Sequence, residues 1–397
     1  REGQKALWVP LDAQLGMPAG EFSYVLEDWQ QKLVVKDPFG EAIESLHDWL
    51  GIKVSVRTAE DMNRRMAQYA EPFRADQCPP DPASEGEVLI VSADGKGVPV
   101  RRPLEERIRA IPKRSSRGRP RKEKPEKSPR KRLGKGEKRT KKQMAYVGAL
   151  YTLDPEPRTV DDILDEVRRR KSHRRRPKPK NKRLHVQMTQ ILEDEVIKGM
   201  PRVFAEMAVE RQQRDPEYQK TVVCLMDGDP NLWEMQRTWF EDAVCILDLY
   251  HVMERLWKAA YVFHSEGSVD AEQFVTRGLR MLLEGKVGYL LRSLRQQMPR
   301  GGKAKTLREV ITYLENNRQY MRYDEYLAAG YPIGSGVIEG ACRYVVKDRM
   351  ERTGMRWETE GASSMLQLRS LYLNGDWQAF INYRIECEQE ALYGQSA

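Results

Sequence analysis

Residues 221–251 read TVVCLMDGDPNLWEMQRTWFEDAVCILDLYH, and this stretch decides the fold class. TVVCLM is an unbroken apolar run, rich in β-branched residues, that closes on Asp227-Gly228. A short run of this kind, bounded by a turn signal, predicts a buried strand. Residues 231–240 read as helical, and AVCILDLYH (243–251) is a second strand that ends near Asp248 and runs into a helix through Lys258. Strand, helix and strand in succession predict an α/β sheet. The strand ends of such sheets are where ligands and catalytic groups gather.

Upstream, EVLIVSADGKGVPVR (87–101) predicts a strand, a polar turn at Asp94-Gly95 and a second short strand. MAYVGALYTL (144–153) predicts a third strand, and Thr159–Arg170 and Gln187–Arg214 are expected to be helical. Residues 1–80 also read as helical. EAIESLHDWL (41–50) is amphipathic, Gly51 breaks it, and Thr58 suits the N-cap of a second helix. That helix–Gly turn–helix, with Arg57, Asn63, Arg64 and Arg65 on or near its second helix, reads as a helix-turn-helix DNA reader or as a plain helical hairpin. Downstream, residues 268–330 carry helical spacing throughout. YPIGSGVIEGACRYVVKDRM (331–350) is a turn followed by a helix from about Ser335, and helices are expected over 358–373 and after Asp376.

The 397 residues contain 68 Lys and Arg against 59 Asp and Glu, for a net charge of +9. The excess is concentrated. Residues 113–142 hold 16 basic residues and 3 Glu, and residues 168–183 hold 11 basic residues and no acid, so the rest of the chain is net acidic. Blocks like these cannot bury themselves and match the charge density of nucleic acid. The first block is rich in Pro, Gly and Ser and reads as a disordered loop. Its Arg117-Gly118-Arg119-Pro120-Arg121 resembles an AT-hook core, whose thin strand enters a narrow minor groove; a generic basic linker fits equally. In the second, Arg174, Arg175 and Arg176 precede prolines 177 and 179, which exclude one continuous helix. No apolar run approaches the ~18 residues of a membrane span. Five scattered cysteines without a C-x-x-C pair argue against a disulfide framework or a zinc ribbon and make a reducing cytosol the default. The chain opens on Arg1, which reads as a fragment or trimmed product.

Asp94, Asp227 and Glu339 sit where strands end or a helix begins. Carboxylates brought together from separate elements need a counter-charge. Mg²⁺ supplies it through a few carboxylate oxygens and keeps positions for water and phosphate. Two such ions serve phosphoryl transfer at both the attacking and the leaving oxygen. Each acid also has a plainer reading. Asp94-Gly95 and Asp227-Gly228 suit turns, Asp229 is a rival ligand, and Glu339 suits the first turn of a helix. At i+4 and i+8 from Glu339, Arg343 and Lys347 share its helical face, and Arg349, Arg352 and Arg356 extend the charge, an arrangement suited to backbone phosphates. Trp233, Trp257 and Trp357 read first as core residues and second as base-stacking groups.

LMDGDPNLW, ILDLYHVMERLWKAAYVFH, MRYDEYLAAGYPIGSGVIEGACRYVVKDRMERTGMRW and LYLNGDW resemble the ISKra-type insertion-sequence transposases of the DDE class, which is related to Mutator-like transposases. The resemblance spans about residues 85–395 and is dense from 221 onward. It implies an α/β, ribonuclease-H-like mixed sheet core interrupted by an all-α insertion, behind an N-terminal helical domain that is helix-turn-helix-like. The expected division is 1–80 for that DNA-binding domain and 86–262 for the first part of the core. An insertion then covers 263–330, the core resumes over 331–374, and a C-terminal helix fills 375–397.

By position the resemblance makes Asp94, Asp227 and Glu339 the catalytic, metal-holding set. The class often carries an Asp-x-x-His signature after the second aspartate. Asp248 and His251 match it here as supporting residues, and a second mapping exchanges the roles of Asp227 and Asp248. The implied cofactor is Mg²⁺, with Mn²⁺ as a substitute. The implied partners are double-stranded DNA, both element ends and target, and further copies of the chain as a homodimer or higher on that DNA, with no membrane. The implied setting is the bacterial cytoplasm, at the nucleoid. Arg64, Arg65, Arg117, Arg119, Arg121, Arg174, Arg175, Arg176, Arg343 and Lys347 are the expected DNA contacts. Two rival functions remain open at this point: a non-catalytic DNA-binding regulator derived from a transposase, and a ribonuclease-H-fold nuclease or resolvase.

Overall fold

The structure, a computed structural model, describes residues 10–101, 140–168, 177–192, 195–352 and 354–394. Its centre is a five-stranded mixed sheet. The strands are β1 (Val88–Arg101), β2 (Thr140–Leu153), β3 (Lys180–Met188), β6 (Thr221–Met226) and β7 (Val244–Leu247), and β4 (Gln190–Leu192) and β5 (Glu195–Ile197) form a separate small ribbon. The order across the sheet is β3-β2-β1-β6-β7. β2 is antiparallel to both β1 and β3, whereas β6 runs parallel to β1 and β7 parallel to β6.

Two expectations are corrected here. Asp94-Gly95 is not a turn: β1 is one 14-residue strand, paired residue for residue with β2 from Val88↔Leu153 to Arg101↔Thr140. A partner of equal length gives every residue of β1 a ladder position, and this outweighs the local turn signal of the Asp-Gly pair. The basic block 113–142 therefore joins β1 to β2, and its last residues enter β2. The helix expected from Gln187 is also displaced. RLHVQM belongs to β3, where Leu184, Val186 and Met188 are buried at period two against β2. The helix begins at Gly199, with Pro201 in its first turn.

The N-terminal helices Tyr24–Val34, Phe39–Leu50, Val56–Ala67 and Ala70–Asp76 share one contiguous core with the sheet. Val34, Met62, Met66 and Phe73 belong to the same buried cluster as Val91, Leu150 and Phe380. Gly51 closes the second of these helices, and Ser55, not Thr58, caps the third by accepting the Thr58 N–H at 3.0 Å. The buried face of that third helix lies against the helix Thr359–Asn374.

Residues 269–328 are carried by the helices Val269–Leu283, Val287–Gln296, Gly302–Asn316 and Tyr323–Ala328. They close the free edge of β7. The carbonyls of Cys245 and Leu247 alternate with those facing β6 and would have no ladder partner. The hydroxyl of Tyr326 donates to Cys245 O at 2.9 Å and that of Tyr323 to Leu247 O at 2.8 Å. Tyr323 is fully buried, so its hydroxyl needs this acceptor as much as the carbonyl needs a donor. Among the described residues no helix is long and apolar enough to cross a membrane.

Candidate active site

The parallel ladders bring three acids side by side. β1 pairs with β6 as Val88↔Thr221 through Val91↔Cys224, and Ser92 continues the contact by donating to Leu225 O at 2.6 Å. Carried on to the strand ends, this register sets Asp94 opposite Asp227. β6 pairs with β7 as Val223↔Val244 through Met226↔Leu247, and the same step sets Asp227 opposite Asp248. The Asp248 N–H donates to Met226 O at 2.8 Å, which fixes that last step. Neighbouring strands lie about 4.8 Å apart. One row across three strands therefore ends in three carboxylates.

Each acid has its own local anchor. Asp94 Oδ1 accepts from Gly95 N, and the Cys342 thiol bonds to the Asp94 carboxylate. Asp227 Oδ1 accepts from Asp229 N at 2.9 Å, and the Tyr313 hydroxyl donates to Asp227 O at 2.7 Å. Gly228 turns the chain with φ +89°, and a Cβ there would come within 3.0 Å of the Tyr313 oxygen, so only glycine suits both the dihedral and the space. Asp229 caps the helix Pro230–Trp239 by accepting from Asn231 N at 2.8 Å. Asp248 is fully buried, accepts from Tyr250 N at 2.8 Å and from the Ser335 hydroxyl, and caps the helix Leu249–Phe263.

The Ser335 bond draws in the fourth acid. The loop before the helix Gly336–Ala341 runs beside β7, where Leu249 N donates to Ile333 O at 2.9 Å. Gly334 allows this approach, because a Cβ there would meet the Tyr250 ring at 2.7 Å. Glu339, in the first turn of that helix, is thereby placed beside β7. One ligand atom from each of Asp248, His251 and Glu339 lies within 4.8 Å of the other two, a spacing that can hold a metal ion. His251 Nε2 is 4.0 Å from Asp248 Oδ2, and the ring is partly exposed.

These carboxyls repel one another. Burial raises the pKa of Asp227, and the nearby charges of Asp94 and Asp229 add to it. Glu339 is raised by burial and then by Asp248, Glu254 and Asp94, and Asp248 is raised by burial. The cationic form of His251 offsets each only in part. Oxygen donors with raised pKa values and one imidazole fit a hard divalent cation, which would relieve the repulsion.

The flanking arginines divide between surface and core. From Cys342 to Lys347 the backbone is π-helical, so the 3.6-residue face drawn from Glu339 through Arg343 and Lys347 does not continue. Both residues are exposed, and Arg343 pairs with Asp348 at 3.6 Å. Arg349, expected at phosphates, is fully buried instead. Its Nε donates to Val34 O at 2.9 Å, and its guanidinium lies 4.9 Å from the centre of the Trp357 ring. Burial, then neighbouring Arg369 and Arg352, bring its pKa down to about 9. Arg352 pairs with Asp37 and Glu41.

On the N-terminal helix pair, Asn63 is buried and donates to Gln31 Oε1 at 2.9 Å, so it cannot read a base. Arg64 pairs with Asp61 and Arg65 with Glu27. Arg117, Arg119, Arg121, Arg174, Arg175 and Arg176, and with them the AT-hook-like core, lie outside the described residues. Sequence reasoning missed Tyr313, Ser335 and Cys342, whose partners are a carbonyl and two of the acids; Ser335 and Cys342 stand in the 331–350 stretch already quoted, and Tyr313 stands outside every stretch quoted.

No family model matches the chain, and no curated protein matches it. Among solved structures, a chain of the "Drosophila P element transposase strand transfer complex" aligns with 91% of this chain and 80% of that one, at 8% identity and a TM-score of 0.26. At that score the alignment does not define a common fold.

Proposed function

We propose that this protein is a divalent-metal-dependent DNA transposase of the DDE class, binding element ends, cutting phosphodiester bonds and joining 3′ ends to target DNA. The observation that carries the reading is the row formed by Asp94 on β1 with Asp227 and Asp248 just past the ends of β6 and β7, with Glu339 and His251 against it. The strand order, three antiparallel strands followed by two parallel ones, supports a ribonuclease-H-like core, and the two basic blocks supply charge for a polyanion.

Asp94, Asp227 and Glu339 would hold Mg²⁺ or Mn²⁺, with Asp248 and His251 in support. The bound ions would polarise the phosphate and lower the barrier for the attacking and leaving oxygens. The chain's own residues hold the carboxylates in place. Asp248, through Ser335, ties the glutamate-bearing helix to β7. Tyr313 fixes the backbone at Asp227, and Cys342 orients Asp94. Water and a 3′-hydroxyl can use the same arrangement, so one site serves cutting and joining.

The test is plasmid DNA bearing the sequences that flank the gene, incubated in Mg²⁺ or Mn²⁺. Asp94→Asn, Asp227→Asn and Glu339→Gln should each lower cleavage by about 10³-fold, the loss of ~4 kcal/mol of transition-state stabilisation, while DNA binding persists. Retained cleavage in all three variants, or binding without cleavage by the wild type, would sink the reading.

A further inference from the structure

The helices of residues 269–328 form a second charged feature, separate from the acids. A cleft between the helix Val287–Gln296 and the end of the helix Gly302–Asn316 is lined by Lys286, Tyr289, Arg292, Arg295, Glu315 and Arg318. Four cations face one acid there. Two of the cations are already satisfied: Lys286 Nζ lies 2.8 Å from Glu284, and Arg295 pairs with Glu315. Arg292 and Arg318 have no carboxylate partner among the described residues, and both are exposed. The Arg318 guanidinium extends toward Gly288 on the opposite wall, where a Cβ would come within 3.4 Å of its Nη2. Tyr289 stands beside them, 67% exposed.

We infer that this cleft is a binding site for the phosphate backbone of DNA, next to the candidate active site; the inference rests on the function proposed above. The one acid that lines the cleft, Glu315, is taken up by Arg295, so among the described residues no carboxylate pairs Arg292 or Arg318. Phosphodiester oxygens would do so with charge-assisted, forked hydrogen bonds, and a tyrosine hydroxyl is a common further donor. Position supports DNA over a free phosphate compound. The helix that ends at this cleft also carries Tyr313, whose hydroxyl bonds Asp227 O, and Arg318 follows only five residues later. Arg318 lies two residues beyond the end of that helix at Asn316, and five Cα steps of about 3.8 Å each keep it within about 19 Å of Tyr313, roughly six nucleotides along a strand. A strand engaged at the acids therefore passes within reach of the cleft.

The experiment is equilibrium binding of the full chain to a fluorescein-labelled duplex of random sequence over a KCl series. Each phosphate contact contributes about 0.9 to the slope of log K against log salt, so Arg292→Ala/Arg318→Ala should reduce the slope by about 2. Arg292→Lys/Arg318→Lys should retain the slope. Arg277→Ala, an exposed arginine of the same helical region outside the cleft, should leave it unchanged. An unaltered slope in the double alanine variant overturns the inference, as does an equal fall with Arg277→Ala. Inorganic pyrophosphate that raises the Tm of the wild type but not of the double variant, with the DNA slope intact, also overturns it and assigns the cleft to a free phosphate compound. Because binding is read without catalysis, a wild type that binds but never cuts defeats the proposed function and leaves the cleft standing.

Discussion

Two carboxylate clusters among the described residues are treated in opposite ways. On β3, His185 lies between Glu206 and Glu210 of the helix Gly199–Arg214, with Nδ1 3.3 Å from Glu206 Oε2 and Nε2 bonded to Glu210. Burial alone would raise both glutamates. The His185 hydrogen bonds and charge bring them down, helped by Arg74 at Glu206 and by Arg214 and Arg183 at Glu210. Burial lowers His185 in turn, but the two glutamates outweigh it and its pKa stands raised. At the strand ends the direction is reversed, and Asp227, Asp248 and Glu339 are all raised. One cluster carries its counter-charge in its own sequence. The other does not, which is what the proposed metal site requires.

Removing the internal counter-charge should have the largest effect on stability. His185→Ala leaves two buried carboxylates without their shared cation and should cost about 3–5 kcal/mol in urea unfolding; a loss below about 1 kcal/mol would erase the contrast. At the acid row the direction should reverse. Without metal, Asp227→Asn should unfold no earlier than wild type, because it removes a repelling charge. Mn²⁺ at about 100 times its Kd should then stabilise wild type by ~2.7 kcal/mol and the variant far less. Thermal unfolding with EDTA and with Mn²⁺ reads both halves, and equal shifts in the two proteins would remove metal from the account.

The pH dependence sharpens the comparison further. His185 has a folded pKa above its ordinary 6.5, so its contribution is complete below that pH and fades as pH climbs through the folded value. Glu206 and Glu210 stand below their ordinary 4.5, so theirs is present above that pH and is lost as acid carries the pH down through the folded values. The Tm gap between wild type and His185→Gln should be widest between the ordinary glutamate and histidine values and narrow as pH rises above 6.5 through the folded value. A gap that is constant with pH would show that the ring only fills space. The smallest effect belongs to Tyr313→Phe, which removes one hydrogen bond to Asp227 O and should cost about 1 kcal/mol. If Tyr313 also positions the aspartate, the variant should lose metal affinity by a larger factor than this stability cost implies.

The parallel strands β6 and β7 and the acids at their ends are legible in the sequence, because a buried strand is a continuous apolar run and Asp227 and Asp248 interrupt it at its end. The grouping of the acids was not legible from spacing, since it depends on registers between strands more than a hundred residues apart. Asp94 was misread as part of a turn because a local Asp-Gly signal competed with a strand partner 50 residues away in the chain. The helix expected from Gln187 takes in the end of β3 and the β4–β5 ribbon because these short strands lead directly into a true helix at Gly199. Arg349 was misjudged for another reason. A buried arginine stacked on Trp357 and bonded to a carbonyl has the same one-letter signature as a solvated one.

Tyr323 and Tyr326 cover the outer carbonyls of β7, and this has a practical outcome for anyone shortening the chain. Excising residues 269–328 would strip both donors away and leave an unguarded strand margin, a ready template for a neighbouring molecule's backbone. The trimmed protein would then be prone to self-stacking and precipitation before any loss of chemistry could be measured. The helical region thus works as a built-in solubility shield as well as a neighbour of the acids.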